Sequence, residues 1–215
     1  MQLPSALRRR VASPARAEVA TSHAGYGMGD SLIWIPDQPT SKIAYYGAPQ
    51  TVAVMGRAAL DDQKHFETRQ LAEAVCEGLD SKDYTSEYLA LYQFWLQRTR
   101  YMRDPRRTEL VRAPYIISRQ ILAGHRPSVD CDDAATWLAA AVLSVGGLPE
   151  FLTVAFANLY YDDGAGHRER QYSHVLTRAL EPRTRAWILL DPVAAEKTPQ
   201  MVRRIKASKA WSIAT

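Results

Sequence analysis

The feature that most constrains the fold of this chain is a run rich in small apolar residues, Asp130-Cys-Asp-Asp-Ala-Ala-Thr-Trp-Leu-Ala-Ala-Ala-Val-Leu143. Asp130 can cap the first turn of a helix by accepting hydrogen bonds from backbone N–H groups, and Gly146-Gly147 can end that helix. The pattern therefore predicts a helix over this run. The apolar stretch from Ala134 to Leu148 is too short and too amphipathic to span a bilayer.

Helices are predicted before this run and strands after it. Apolar residues recur near helical spacing from Asp61 to Leu79 and from Asp83 to Arg100, and Pro114 can open a third helix that reaches Leu122. Three β-rich runs then follow, separated by turn-forming segments: Phe151 to Tyr161, Gln171 to Leu180 and Arg185 to Leu190. This order predicts an α+β fold in which helices pack on an antiparallel sheet.

The two ends of the chain differ from its middle. Residues 1 to about 50 are rich in Pro, Ser, Ala, Gly and Arg, and they lack periodicity apart from Ser31-Leu-Ile-Trp-Ile-Pro36, which could form one short strand. We expect an extended N-terminal arm at residues 1–50, a main domain at 51–200 and a basic C-terminal tail at 201–215. An arm with few apolar anchors cannot offset its own conformational entropy, so we expect a partner subunit to order it. The alternative is that the arm packs on its own domain through Leu32, Ile33, Trp34 and Ile35.

Composition excludes several classes of protein. A formal net charge of +4 spread over 215 residues does not favour a nucleic-acid partner. Two cysteines far apart in sequence do not make a disulfide framework and fit a reducing compartment. No apolar run follows the N-terminal arginines, so the start does not resemble a secretory signal. We expect an intracellular protein without a membrane partner.

Cys131 is the residue best placed for chemistry. At the start of a helix, backbone amides and the helix dipole favour a thiolate, while the acidic neighbours Asp130, Asp132 and Asp133 oppose it. A reactive Cys131 would therefore need a cationic imidazole partner.

His174 and Asp191 lie in neighbouring β-rich runs. A hairpin that is symmetric about Pro182-Arg183 would place these two residues directly opposite each other. Opposed residues have Cβ atoms about 5 Å apart, which allows a hydrogen bond that fixes the tautomer and orientation of the imidazole. We therefore expect His174 to bond Asp191 and to lie close to the Cys131 sulfur.

The order of these residues resembles the transglutaminase-like superfamily, a branch of the papain-like fold. The similar segments are Asp130-Cys-Asp-Asp-Ala134 through Gly146-Gly-Leu-Pro149, then Tyr172-Ser-His-Val175, then Trp187-Ile-Leu-Leu-Asp-Pro192. They fall within about residues 110 to 195. Upstream, Tyr101-Met-Arg-Asp-Pro-Arg-Arg107 and Pro114 are similar to the lead-in of phage and prophage members.

The resemblance implies a role for each residue of the triad. Cys131 would be the nucleophile, His174 the general base and then acid, and Asp191 the group that orients the imidazole. The reaction would be hydrolysis or acyl transfer at an amide or peptide bond, with no cofactor and no metal. The Cys131 N–H can supply one oxyanion donor, but His125 stands where a papain-like enzyme carries a glutamine, and the second donor is not identified.

Several alternatives stay open at this point. Cys76 shares the apolar side of its helix with Ala72 and Leu79, which favours a core position. Cys131, His174, Asp191 and Asp132 could instead ligate a metal, although no short ligand pair such as CxxC supports this. The remaining histidines are dispersed and are most simply surface or packing residues: His23, His65, His125 and His167.

Two functions of different classes fit these patterns. One is a cysteine hydrolase or acyl-transferase that acts on a protein substrate in the host cytoplasm. The other is a phage virion or assembly protein that keeps the fold without needing the reaction and contacts other protein subunits of the particle.

Overall fold

Five helices and a four-stranded antiparallel sheet make up most of the described part of this computed structural model, which covers residues 40–43, 48–103, 109–157, 160–162, 168–191 and 204–213. The predicted α+β class, with helices packed on an antiparallel sheet, is confirmed. The predicted strand at Ser31–Pro36 and most of the expected N-terminal arm lie outside the described residues.

Three of the five described helices have bounds within two residues of the prediction, whereas the predicted Asp61–Leu79 helix is shorter and the first helix was not predicted. The five helices are α1 (Ala48–Asp62), α2 (Phe66–Cys76), α3 (Tyr84–Arg98), α4 (Pro114–Leu122) and α5 (Cys131–Ser144). The Asp130 side chain accepts the backbone N–H of Asp133 at 3.3 Å, as the prediction for α5 required. Helix α1 starts inside the segment that was expected to be the arm. The sequence did not indicate this helix, because its small residues obscure the apolar spacing of the buried residues Val52, Met55 and Ala59.

The four-stranded sheet has the strand order β10-β5-β8-β9, in which β5 is Leu148–Ala155, β8 is His174–Leu180, β9 is Trp187–Leu190 and β10 is Ala207–Ser212. Three two-stranded pairs accompany it: β1 (Thr40–Ile43) with β3 (Glu109–Arg112), β2 (Arg100–Tyr101) with β4 (Ser128–Val129), and β6 (Tyr160–Asp162) with β7 (Arg168–Arg170). Strand β10 lies in the segment expected to be a basic tail, so that part of the tail belongs to the sheet.

Helix α5 runs alongside the two central strands. The short connection after α5 leads directly into β5, whose first residue Leu148 pairs with Leu180 at the end of β8. At the other end of the same ladder, Val154 pairs with His174. Because β5 returns along α5, the first residues of α5 and of β8 lie at the same end of the sheet.

Small side chains let α5 approach the sheet closely. Ala135, Ala139 and Ala140 are fully buried and share one apolar cluster with Phe151 of β5 and Val175 of β8. The Thr177 hydroxyl of β8 donates to the Ala135 carbonyl of α5 at 2.7 Å, which fixes the helix along the strand. A larger residue in this face would separate the two elements.

Tyr88 of α3 joins the far ends of α5 and β8. Its hydroxyl donates to the Leu180 carbonyl at 3.2 Å, and burial raises its pKa to about 12. A Cβ added to Gly147 would come within 2.5 Å of the Tyr88 hydroxyl oxygen and within 2.7 Å of Val142 Cγ1. Gly147 is therefore required by close packing and not by its backbone angles.

The β8–β9 hairpin has a different register from the predicted one. Thr177 pairs with Leu190 and Leu180 with Trp187, so each residue of β9 lies two positions from its expected partner. The cause is a longer loop: the Arg185 N–H donates to the Glu181 carbonyl at 2.9 Å, and Arg185 takes a left-handed conformation with φ of 60°. A shift of two keeps every side chain on its expected face.

Within the part of the chain that is described, no helix combines the length and the apolar character that crossing a membrane requires.

Two glycine substitutions test the packing of α5 against its neighbours. We expect Gly147→Ala to lower the free energy of unfolding by about 1–3 kcal/mol, because the new methyl group overlaps Tyr88 and Val142. Gly56→Ala in α1 is the matched control, since a Cβ there meets nothing within 4 Å. Because alanine has a higher helix propensity than glycine, Gly56→Ala should raise the free energy of unfolding by about 0.5–1 kcal/mol. Urea denaturation measures both free energies. Equal effects of the two substitutions would contradict the packing described for Gly147.

The contacts of the hairpin loop lead to a second prediction, which concerns the stability of the fold at acid pH. Thr184 donates hydrogen bonds to the Glu181 carboxylate, including one from its backbone N–H at 2.6 Å, and holds its pKa at about 2, below the ordinary value of 4.5. A lowered pKa stabilises the fold above pH 4.5, and this contribution is lost as the pH falls towards 2. Urea denaturation between pH 5 and pH 2 should therefore show a shallower acid loss in Glu181→Gln than in the unsubstituted protein. The exposed Glu77→Gln is the control and should leave the slope unchanged.

Candidate functional site

Cys131 is the first residue of α5, directly after the capping residue Asp130. It is half-buried and packs against the apolar cluster that joins α5 to β5 and β8. A thiol in this position lies where the helix dipole favours a negative charge, and part of its surface stays open to solvent. The position therefore suits a nucleophile better than a fully enclosed cysteine would.

The start of α5 is anchored by a buried ion pair. Arg112 of β3 donates to Asp133 through its backbone N–H at 2.9 Å and through Nε at 2.8 Å, and its Nη2 atom also contacts the same carboxylate. Burial raises the pKa of Asp133 to about 6, and the Arg112 charge acts against that rise. At neutral pH the carboxylate is thus ionised and holds the first turn of α5 against β3.

His174 and Asp191 form a buried hydrogen bond. The distance between His174 Nε2 and Asp191 Oδ2 is 2.9 Å, and the two side chains are only 7% and 2% exposed. In the observed register Asp191 falls level with Leu176, so His174 reaches it as a diagonal neighbour on the same face. The predicted hydrogen bond is therefore confirmed, whereas the directly opposed pairing that led to the prediction was wrong by two residues.

Tyr92 of α3 fixes the backbone at Asp191. Its hydroxyl donates to the Asp191 carbonyl oxygen at 2.9 Å. Burial, and after it the charge of the Asp191 carboxylate, raise the pKa of Tyr92 to about 12. Helix α3 also packs against α5 and β9, so Tyr92 ties the residue after β9 to the helices.

The start of β8 departs from regular pairing with β5. Thr177 points at α5, and strict alternation would turn His174, three residues earlier, away from that helix. However, the Ser173 N–H donates to the Val154 carbonyl at 3.0 Å, although His174 is the residue registered opposite Val154. Two residues of one strand facing one of the other is the pattern of a β-bulge, and the extra residue here is Ser173. His174 keeps its register with Val154 and therefore lies on the face of the sheet that carries Leu176 and Asp191.

Cys76, the other cysteine, has different surroundings. Burial first, and the nearby Glu87 carboxylate second, raise the pKa of the Cys76 thiol to about 12. Its sulfur lies 3.9 Å from the Glu87 carbonyl oxygen. Such a thiol is protonated at neutral pH, in agreement with the structural role expected from its place on the apolar side of α2.

Two of the acidic residues around Cys131 make defined contacts within the protein. Side-chain oxygens of Asp130, Asp132 and Asp133 all lie within 4.8 Å of one another. Both oxygens of Asp133 accept hydrogen bonds from Arg112, and Asp130 caps the helix. Asp133 thus does more than complement the helix dipole, because it forms the ion pair that anchors α5.

The remaining histidines differ in their surroundings. His65 stacks on Tyr115 with ring centroids 4.2 Å apart. His125 is exposed in the turn after α4, where its backbone N–H donates to the Gln120 carbonyl at 2.9 Å. His23 and His167 lie outside the described residues.

Sequence patterns did not single out Tyr92 or Arg112, and they marked Tyr101 only as part of the lead-in segment Tyr101–Arg107. Tyr84, Tyr88 and Tyr92 are spaced four residues apart and so lie on one side of the helix. This spacing could have indicated that Tyr92 contacts the sheet. Tyr101 and Arg112 come from short strands whose partners are distant in sequence, and no local pattern specifies those partners.

Comparisons with known proteins give little further information. No protein-family model and no curated protein match the chain. One solved structure, from Parabacteroides distasonis and provisionally described as a protease, is similar over 67% of this chain, at 12% identity and a TM-score of 0.47. The similar region is 26% of that longer chain. A similarity this weak does not bear on the activity of the present protein.

The contrast between the two cysteines can be measured directly. With a pKa of about 12, Cys76 has a thiolate fraction on the order of 10⁻⁴ at pH 8, whereas Cys131 is half-buried at a helix start. We expect iodoacetamide at pH 8 to modify Cys131 in the native protein and Cys76 only after unfolding. Peptide mass mapping of the alkylated protein checks this. Modification of Cys76 at an equal or faster rate would contradict the assignment of Cys131 as the reactive thiol.

Proposed function

We propose that Cys131, His174 and Asp191 form a catalytic triad of the transglutaminase-like, papain-like type. In this proposal the protein is a cysteine hydrolase or acyl-transferase that acts on amide or peptide bonds of a protein substrate. No cofactor or metal takes part in the reaction.

The observation that carries the proposal is the buried His174–Asp191 hydrogen bond of 2.9 Å at the end of the sheet where α5 begins. A buried imidazole with a carboxylate partner is the usual arrangement of a general base and its orienting group. A cysteine that begins the adjacent helix supplies the third element, a nucleophile placed where the helix dipole favours its thiolate.

The contacts indicate a separate catalytic role for each of the three residues. His174 uses Nε2 to bond Asp191, so Nδ1 is the ring nitrogen that would exchange a proton with the Cys131 thiol. The resulting thiolate would attack the carbonyl carbon of the substrate. The imidazolium would then return the proton to the leaving amine, and water or a second amine would resolve the thioester. Tyr92 would keep Asp191 in position by donating a hydrogen bond to its backbone carbonyl oxygen.

A phage origin is part of the proposal and rests on the lead-in at Tyr101–Arg107 and on the N-terminal arm, which would contact another subunit of the particle. If Cys131 proves unreactive, the protein is better explained as a virion or assembly component that keeps this fold without the reaction.

A triad makes a sharp prediction for its orienting residue. We expect Asp191→Asn to keep the fold, because the amide is isosteric and can still bond the imidazole. It should nevertheless slow acylation of Cys131 by p-nitrophenyl acetate by about 1,000-fold, because the amide cannot stabilise an imidazolium. Stopped-flow measurement of the p-nitrophenolate burst gives the rate, and Cys131→Ala should abolish the burst.

The matched control is Asp130→Asn, an isosteric change of a buried carboxylate one residue before Cys131. Asparagine caps helices as well as aspartate does, so stability and fold should be preserved. The burst rate should change by less than about 10-fold. An Asp191→Asn protein that matches the unsubstituted rate would show that Asp191 is a structural partner of His174 only.

A further inference from the structure

The proposed reaction needs two donors for the oxyanion that forms when the thiolate attacks a carbonyl group. The backbone N–H of Cys131 can be one of them, because an amide at the first position of a helix points away from the intrahelical hydrogen bonds. His125, expected at the position of the second donor in papain-like enzymes, is exposed in the turn after α4. Other side chains beside the start of α5 are therefore candidates for the second donor.

The strand beside the start of α5 brings one candidate to Cys131. Strands β2 and β4 are parallel, and Tyr101 is registered opposite Val129, two residues before Cys131. The Met102 N–H donates to the Val129 carbonyl at 2.7 Å, and the Arg100 N–H donates to the Pro127 carbonyl at 3.0 Å. These bonds hold the backbone of Tyr101 directly alongside the segment that leads into the helix.

The side chain of Tyr101 is suited to meet a substrate. It is 42% exposed, so its ring is partly packed and partly open to solvent. Burial first, and the Cys131 charge second, raise the pKa of the Tyr101 hydroxyl. The group consequently stays protonated and able to donate a hydrogen bond at neutral pH. Arg103 is in hydrogen-bonding contact with the same hydroxyl.

We infer that Tyr101 is a further catalytic residue, whose hydroxyl donates a hydrogen bond to the substrate carbonyl oxygen as it becomes an oxyanion. The inference rests on the proposed function, since it requires Cys131 to be the nucleophile. The observation that supports this inference is the parallel pairing of β2 with β4, because it places the partly exposed phenol of Tyr101 close to the first residue of α5.

The step can be written for a simple ester, p-nitrophenyl acetate. The Cys131 thiolate forms a bond to the carbonyl carbon, and the electron pair of the C=O bond moves to the oxygen, where Tyr101 and the Cys131 N–H donate hydrogen bonds. Collapse of this intermediate re-forms the C=O bond and breaks the bond to p-nitrophenolate. Water then hydrolyses the acetyl thioester through a second oxyanion, which releases acetate and restores the thiol.

The experiment compares two reactions of the same sulfur. Acylation by p-nitrophenyl acetate passes through an oxyanion, whereas alkylation by iodoacetamide is a direct displacement that forms none. We expect Tyr101→Phe to slow the acylation burst by about 100-fold, while the alkylation rate of Cys131 stays within about twofold of the unsubstituted rate. Tyr101→Gln, which supplies an amide donor, should recover part of the lost acylation rate.

Tyr84→Phe is the control, because it also removes one phenol hydroxyl but lies at the start of α3, near the far end of the sheet. Both of its rates should be unchanged. A Tyr101→Phe protein with unchanged acylation would overturn the inference and leave the proposed triad intact. Equal loss of acylation and alkylation would also overturn it, because Tyr101 would then act on the thiol and not on the oxyanion. Absence of any burst in the unsubstituted protein would overturn the proposed function and this inference together.

Discussion

Close packing of α5 against strands β5 and β8 is the contact on which the rest of the structure depends. Alanine side chains on one face of the helix let its backbone approach the sheet, where the Thr177 hydroxyl reaches the Ala135 carbonyl at 2.7 Å. On its other side, Trp137 lies 4.8 Å from Trp95 of α3, measured between ring centroids. The helix is consequently held between the sheet and the other helices, and the position of its first residue, Cys131, is determined by contacts along its whole length.

Polar contacts fix the two components of the candidate site separately. Arg112 and Asp133 hold the start of α5 to β3, while Tyr92 and the β8–β9 ladder hold Asp191 next to His174. Neither set of contacts involves the Cys131 sulfur. A thiol, a base and a carboxylate placed by three different elements can keep a reactive geometry without depending on mutual attraction, which is what a preorganised site requires.

The two cysteines illustrate how surroundings decide reactivity. Cys76 is the last residue of α2, where burial and the Glu87 carboxylate disfavour the thiolate. Cys131 is at a helix start and half-buried, directly after the short strand β4 and the capping residue Asp130. Residue type is the same in both cases and both residues are partly exposed, so the end of the helix at which each thiol lies separates a structural thiol from a candidate nucleophile.

The sequence by itself determined the α+β class, helix α5 with its Asp130 cap and the residues of the candidate triad, because capping residues and hydrophobic period are local properties of the chain. It also gave the correct sheet face for His174 and Asp191 despite an error of two residues in register, since side chains in a strand repeat every two residues. Tertiary structure alone decided the inclusion of β10 in the sheet and the pairing of Tyr101 beside the segment that leads to Cys131. These depend on contacts between residues far apart in sequence, whose free energies no local pattern contains.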